Sequence, residues 1–393
     1  MPDSTRPFLV VYVVWHPAFA AGAEIAERVR ELFRRQLYAN VAGGAGLSVI
    51  YRSTPPPGEA TPLPIALDEA ETTAVVVLAD ATLAADADWV SYVQQVGAAA
   101  EAAGLGSRLF PVAIDAGVLG SLQVDEQALR WDLWAGDDEG RRARLLVELT
   151  YAFCRMLRHY LEHLKHPGEE EAALEQYLTK VQIFLSHSKH DQHGTAIALA
   201  IRRRIHAGHG LASFFDVHDI PGGLKFHKVI LQQVRTSAVV AIHTDSYSSR
   251  EWCRKEIIEA KRASVPLVVA NSISDVDERG FPYMGNVPLI RLDPDHEERI
   301  DFVISRLMDE VLKDFLWQCQ VQLAGAQDPN VIFLPRPPEL ISLASLPPIA
   351  QVPQPLVVYP DPPLSTEEER LFATIAPHVQ LRSRSEWLAG VVR

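Results

Sequence analysis

Side chains that could take part in chemistry are concentrated in three polar segments of this 393-residue sequence, 186–191, 214–223 and 248–256. The first two follow apolar runs that are typical of strands, and the third opens a helix. Ligands of open parallel sheets bind at the carboxyl ends of the strands, where polar loops supply the contacts. The three segments therefore predict a ligand site, and Glu256 is its candidate carboxylate.

Glu256 lies on a helix that the sequence predicts to begin at a capping box from Ser248 to Glu251. Helical spacing divides the following residues into two stripes. The core stripe contains Cys253, Ile257 and Ala260, and the stripe beside it contains Trp252, Glu256 and Glu259. A glutamate at the edge of a core is more often a solvated carboxylate paired with Arg or Lys. The spacing alone therefore leaves a catalytic role for Glu256 open.

Two α/β segments must position these residues, because short apolar runs alternate twice with helical periodicity along the chain. The first segment has predicted strands at Phe8–Trp15, Leu47–Tyr51, Thr73–Leu78 and Leu109–Ile114, and a long helix from Arg141 to Leu164. The second has predicted strands at Val181–Ser186, Leu211–Phe215, Ser237–Ile242 and Val265–Ala270. The two segments align at an offset of 164 residues, 46–52 with 210–216 and 73–76 with 237–240. The pattern predicts one flavodoxin-like parallel fold repeated in tandem.

A proline-rich tail follows, in which eleven prolines fall between Pro329 and Pro363. We expect an extended connector there, since proline interrupts helices and sheets. A strand at Leu356–Tyr359, a capping box from Ser365 to Glu368 and a strand at Val379–Arg382 predict a small β-α-β piece. The predicted domains are 1–165, a linker helix at 166–179, 180–325, and the extension 326–393.

The composition excludes several classes of protein. A formal net charge of -13 argues against a nucleic-acid binder. The three cysteines lie far apart and no charge-free stretch of about 18 residues without Pro or His occurs, so we expect a cytoplasmic protein without disulfides, structural zinc or a membrane span. His187, His190 and His193 are interpreted as solvated loop residues, and no metal site is predicted. No GxGxxG fingerprint follows a strand, which disfavours hydride transfer on a Rossmann site.

Taken together, the three polar segments resemble a Toll/interleukin-1 receptor (TIR) domain over about Lys180 to Leu323. The Ser-x-x-Trp-Cys-x-x-Glu pattern from Ser249 to Glu256 is the most specific part of the resemblance. In TIR domains with enzymatic activity, this glutamate is the catalytic residue that cleaves NAD+ between nicotinamide and ribose. The resemblance therefore implies that Glu256 is catalytic and that NAD+ is a substrate, with no cofactor required.

The resemblance also implies partners for Glu256. Substrate contacts are expected from Ser186, Phe214, Asp216 and Trp252. Related enzymes complete their site by self-association through the loop after the second strand, which here comprises Asp216, Val217, His218, Asp219, Ile220, Pro221, Gly222 and Gly223. Loss of neutral nicotinamide leaves an oxocarbenium-like ribose that a carboxylate can stabilise, so no strong acid is needed. Hydrolysis and cyclisation share this step, and both stay open.

The first segment departs from the motif. Arg52 stands where Asp216 stands, and Val93 rather than a glutamate follows four residues after Trp89. We therefore expect a degenerate TIR-like domain that serves in sensing, packing or assembly. Two hypotheses result for the whole chain. One is a bacterial-type NAD+-consuming effector of antiphage immunity, activated by assembly and by a partner encoded in the same operon. The other is a non-enzymatic scaffold or adaptor that acts through contacts between TIR domains.

Overall fold

The computed structural model describes residues 6–35, 38, 46–169, 181–207, 211–214, 226–292, 296, 298–325, 331–346 and 354–390. The chain divides into two compact units. The first unit comprises Met1–Tyr177 and Phe315–Gln327, and the second comprises Leu178–Asp314 and Asp328–Arg393. Residues of the helix Glu298–Gly325 are thus divided between the two units.

A four-stranded parallel sheet in the order β2-β1-β3-β4 forms the centre of the first unit. Its strands are β1 (Leu9–Trp15), β2 (Ser48–Arg52), β3 (Thr72–Ala79) and β4 (Ser107–Ala113). Strands β1 and β3 are buried along their whole length, as expected for parallel strands that are covered on both faces. The apolar, β-branched runs in the sequence therefore predicted these strands to within two residues at each end.

Helices connect the strands of the first unit. They are α1 (Gly22–Phe33), α2 (Ala81–Ala85), α3 (Ala87–Ala102), α4 (Val118–Leu122) and α5 (Asp138–Lys165), with a 3-10 turn at Trp131–Leu133. Helix α1 buries Ile25, Val29 and Phe33, which lie four residues apart along one face. Helix α5 includes the long helix that the sequence predicted and extends it by three residues at its start and one at its end.

The second unit contains a five-stranded parallel sheet in the order β6-β5-β7-β8-β9, the 2-1-3-4-5 order of flavodoxin-like folds. The strands are β5 (Val181–Ser186), β6 (Leu211–Phe214), β7 (Ala238–His243), β8 (Leu267–Asn271) and β9 (Leu289–Arg291). The helices are α6 (Gln192–Ala207), α7 (Phe226–Thr236), α8 (Glu251–Arg262) and α9 (Glu298–Gly325), with a 3-10 turn at Pro282–Met284. The first unit has the same order over four strands. The predicted tandem of flavodoxin-like parallel sheets is therefore confirmed.

The carboxyl-terminal extension forms a third parallel sheet, in the order β10-β11-β12. Its elements are β10 (Val331–Phe333), α10 (Leu340–Ala344), β11 (Leu356–Tyr359), α11 (Thr366–Ile375), β12 (Gln380–Ser383) and α12 (Arg384–Leu388). The expectation of an extended connector was wrong for helix α10 and for strand Val331–Phe333. This run lies between prolines rather than containing one, and a sheet edge tolerates nearby proline. The predicted capping box of Ser365 and Glu368 is present.

Two further expectations concern the predicted linker helix and membrane-spanning helices. Helix α5 ends at Lys165, and most of the predicted linker helix at 166–179 lies outside the described residues. In the part of the chain that the structure describes, no helix combines the length and the apolar character needed to cross a membrane.

Candidate active site

The crevice of the second sheet lies between β5 and β7, where the strand order reverses. Strand β5 ends at Ser186 and β7 ends at His243, and the two strands are hydrogen-bonded neighbours. Ligands of doubly wound sheets bind at this switch point, outside the carboxyl ends of the strands. Helix α8, which follows β7, brings Glu256 to the same place.

Glu256 is a buried carboxylate, 6% exposed, on the inner side of α8. The Ser186 hydroxyl donates a hydrogen bond to its Oε2 atom at 2.5 Å. Cys253 and Ile257, on the same helix, are buried and pack in the apolar core. A carboxylate in such surroundings interacts strongly with any nearby cation, because little water is present to screen it.

Tyr247 extends the hydrogen bonds of Glu256. Its side chain is fully buried, and its hydroxyl lies 2.5 Å from the Ser186 Oγ atom. Burial raises the pKa of the Tyr247 phenol well above its usual value, and the neighbouring Cys253 and Glu256 raise it further. The phenol therefore stays protonated and donates a hydrogen bond to Ser186 Oγ, since the Ser186 hydroxyl itself donates to Glu256. The three side chains form a chain that orients the carboxylate.

The start of α8 differs from the predicted capping box. The helix begins at Glu251, and no side chain caps it at Arg250. Ser248 is fully buried, and its hydroxyl donates instead to Asp277 Oδ2 at 3.0 Å. The Nε2 atom of His243 lies 3.1 Å from both Ser248 Oγ and Asp277 Oδ2. This triangle of polar groups ties the segment before α8 to the loop after β8.

Asp277 is held in its ionised form by its contacts. Burial alone would raise the pKa of its carboxyl. Hydrogen bonds from Ser248 and from the backbone N–H groups of Arg279 and Gly280, together with His243, outweigh burial and lower that pKa below its usual value. A second tie lies close by, since Asp245 accepts hydrogen bonds from the backbone of Ser274 at 2.7 Å and of Asp275 at 3.2 Å. The loop after β8 is thus fixed beside the crevice.

The three histidines of the first polar segment have different environments. His187 is buried beside the carbonyl of Leu185, His190 is exposed, and His193 lies with its Nε2 atom 3.0 Å from Ser272 Oγ. Only His190 therefore matches the expectation of a solvated loop residue. Among the residues that the structure describes, no group of three His, Cys, Asp or Glu side chains could hold a metal ion.

The other predicted substrate contacts are only partly visible. Trp252 is 42% exposed, and the Lys255 Nζ atom lies 4.9 Å from its ring centroid. Phe214 ends β6 and pairs with Phe184, which places its backbone beside the crevice. Asp216 and the rest of the predicted assembly loop to Gly223 lie outside the described residues. Ser186 contacts Glu256 rather than an open surface, and its contact with substrate stays a prediction.

Sequence reasoning missed Tyr247 and the triangle of His243, Ser248 and Asp277. One signal was available for Tyr247, which is the aromatic residue within the otherwise polar run Thr244–Glu251. A large apolar ring in such a turn is expected to point inward. No comparable signal marks Asp277, because its partner Ser248 lies 29 residues away in the sequence.

A parallel sheet in the order 2-1-3-4-5, with a buried carboxylate at its switch point, defines a flavodoxin-like α/β domain with a candidate catalytic crevice. Residues 183–302 of this domain match the protein-family model of the TIR domain. The matched range includes both Ser186 and Glu256, and the predicted presence of a TIR domain is confirmed. No curated protein matches the chain.

Proposed function

We propose that the second unit cleaves NAD+ between nicotinamide and ribose, with Glu256 as the catalytic carboxylate. The observation that carries this proposal is the hydrogen-bonded position of Glu256 at the switch point of a TIR domain, where Ser186 and Tyr247 fix it. The resemblance of the surrounding motif to enzymatic TIR domains supplies the substrate.

The chemistry suits a carboxylate that is held in place. When the glycosidic bond to nicotinamide breaks, its electron pair leaves with the nicotinamide nitrogen, and the ribose becomes oxocarbenium-like. The ionised Glu256 stabilises this positive charge, and a preorganised group does so without rearrangement during the reaction. Because nicotinamide departs as a neutral molecule, no proton must be delivered to it. Water then gives ADP-ribose and a proton, or a nitrogen of the adenine gives a cyclic product.

The hydrogen bonds at Glu256 serve this step in two ways. The hydrogen bond from Ser186 fixes the position of the Glu256 Oε2 atom, and hydrogen bonds to charged acceptors are among the stronger ones. Tyr247 in turn fixes Ser186, which limits the rotation of the Glu256 side chain. NAD+ enters as a substrate, and the proposal requires no resident cofactor.

Assembly and biological role extend the proposal by resemblance. Bacterial TIR enzymes are activated when their domains associate, so we expect specific activity to rise with protein concentration. The consumption of NAD+ would suit an effector of antiviral defence, with the first unit and an operon-encoded partner as regulators. An activity that is constant from nanomolar to high micromolar protein would contradict control by assembly.

Incubation of the purified chain with NAD+ at high protein concentration tests the proposal. Chromatography should show nicotinamide together with ADP-ribose, which indicates hydrolysis, or with a cyclic isomer, which indicates cyclisation. Unchanged NAD+ at all protein concentrations would contradict the enzyme and favour the scaffold or adaptor.

A further inference from the structure

The carboxyl-terminal extension contacts the far end of the helix that carries Glu256. Lys261, in the last turn of α8, has a side chain that is only 4% exposed. Its Nζ atom donates one hydrogen bond to Glu339 Oε2 and another to the carbonyl of Gly285, each at 2.7 Å. Glu339 directly precedes α10 of the extension, so a buried ion pair joins the extension to α8.

A second contact lies just beyond the end of α8. The Arg336 guanidinium donates from Nη1 to the carbonyl of Ser264 at 2.5 Å. Ser264 has a φ of 54°, a left-handed conformation that is costly for a residue with a side chain, and it ends the helix there. Arg336 thus stabilises the strained residue at which α8 stops. Both contacts come from the short segment between β10 and α10.

The ion pair matters because Lys261 is buried. A buried ammonium group without a partner is costly, whereas a pair that is removed as a whole often costs little. The hydrogen-bonded pair therefore favours the one arrangement of α8 in which Lys261 reaches both Glu339 and Gly285. The exposed ion pair of Arg204 and Asp301 in the same unit lacks this property, because its side chains are 57% and 44% exposed.

Glu256 lies between two fixed ends of α8. The triangle of His243, Ser248 and Asp277 ties the chain just before the helix, and Lys261 is held five residues after Glu256. Five residues of helix correspond to about 7.5 Å along its axis. A shift of α8 at its Lys261 end would therefore move Glu256 relative to Ser186, and small displacements of a catalytic group are costly to rate.

We infer that the extension is a positioning element of the active site, with Glu339 and Lys261 as positioning residues that hold α8 and thereby Glu256. The effect on catalysis rests on the proposed function, whereas the effect on the helix does not. The inference gives residues 331–346 a task within the second unit: they complete the support of the catalytic helix.

Four variants of the full chain test the inference: Glu339→Gln, Lys261→Met, the double variant of both, and Asp301→Asn as the matched control for an exposed pair. Hydrogen exchange of the α8 amides measures the hold on the helix directly. Each single variant should speed this exchange about tenfold, and the control should not change it. The double variant should speed exchange by less than the combined effects of the two single variants.

Nicotinamide release from NAD+ by the same proteins is the second measurement. Each single variant should lower kcat about tenfold and leave KM within about twofold, since neither residue contacts substrate. Exchange that rises without coupling between Lys261 and Glu339, or that does not rise at all, would overturn the inference. If exchange responds as expected but the wild type releases no nicotinamide, the support of α8 stands and the proposed function fails. If a single variant does not fold, a folded double variant would still show that Lys261 and Glu339 are coupled, and an unfolded double variant would contradict that coupling.

Discussion

The third strands of the two sheets lead into helices that differ at matching positions. In the first unit, β3 ends at Ala79, and α3 then places Trp89 and Val93 in the core, at 1% and 0% exposure. In the second unit, β7 ends at His243, and α8 places Trp252 at 42% exposure and Glu256 against Ser186. One strand order therefore supports a packed apolar face in one unit and a polar crevice in the other.

Aromatic residues account for much of this difference. Trp89 is buried in the apolar core of the first unit, where its ring lies 5.0 Å from His16 and 6.2 Å from Tyr92. In the second unit the buried ring is Tyr247, whose hydroxyl extends the hydrogen bonds to Glu256. The last residue of β2, Arg52, also packs against an aromatic ring in the first unit, since its guanidinium lies 5.0 Å from the Tyr12 ring centroid. The same fold thus holds an apolar Trp89 in one unit and a hydrogen-bonded series of Tyr247, Ser186 and Glu256 in the other.

The two tryptophans give the largest expected difference. Trp89→Ala should lower the free energy of unfolding of the first unit by about 4 kcal/mol, because it empties a buried volume. Trp252→Ala should cost the second unit less, about 1 to 2 kcal/mol, because 42% of that residue is already exposed. Native-state hydrogen exchange of the central strand amides reports each unit separately. Similar losses for the two variants would mean that Trp89 and Trp252 contribute equally to packing.

A carboxylate placed in the first unit should not be tolerated. Val93→Glu puts a charge into an apolar core without a serine partner, and we expect a loss of about 3 to 4 kcal/mol. Ala98→Glu, at an exposed position of the same helix, should change stability by less than about 0.5 kcal/mol. Urea unfolding measures both variants. A stable Val93→Glu protein would mean that the first unit still has room for a polar site.

Acid should weaken the first unit through His159. Burial and the neighbouring Arg108 lower the pKa of His159 to about 4, from an ordinary value of 6.5. The unfolded chain binds a proton at this histidine more readily than the folded chain does. The contribution of His159 to the free energy of unfolding is therefore fully present above about pH 6.5, and it falls by up to about 3 kcal/mol as the pH approaches 4. His159→Gln should flatten this dependence in pH-resolved hydrogen exchange. An equal slope in the variant would exclude His159 as the cause.

The hydroxyl of Tyr247 should have a small effect on stability and a measurable effect on rate. Tyr247→Phe removes one buried hydrogen bond, worth about 1 kcal/mol. If Tyr247 orients Glu256 through Ser186, kcat for NAD+ cleavage should fall about fivefold while KM stays unchanged. Tyr92→Phe, in the first unit, removes a comparable hydroxyl that bonds to the Leu63 carbonyl, and should leave kcat unchanged. Equal rates for the wild type and Tyr247→Phe would show that the Tyr247 hydroxyl does not orient Glu256.

The sequence predicted the sheets well because their central strands are apolar on both faces and therefore conspicuous. Helical spacing also placed Glu256 at the edge of the core, but its burial could not be predicted, because Ser186 and Tyr247, which cover it, lie elsewhere in the sequence or pack in ways that spacing does not reveal. The prediction was wrong about Ser248, whose hydroxyl could cap the helix or bond to His243 and Asp277, and local sequence does not reveal which acceptor folds nearby. The pairing of Lys261 with Glu339, 78 residues apart, was beyond reach for the same reason.

Two buried glutamates on α8 distinguish a catalytic carboxylate from one that is only buried. Glu256→Gln keeps the shape of the side chain and its hydrogen bond from Ser186 but removes the charge that faces the developing cation. Glu259→Gln is the matched control, because Glu259 is also buried, at 8% exposure, and is paired with Arg235 rather than with the crevice. Nicotinamide release should fall about 1,000-fold in Glu256→Gln and remain within about threefold of the wild type in Glu259→Gln. Undiminished release by a folded Glu256→Gln protein, or equal losses in both variants, would contradict a catalytic role for Glu256.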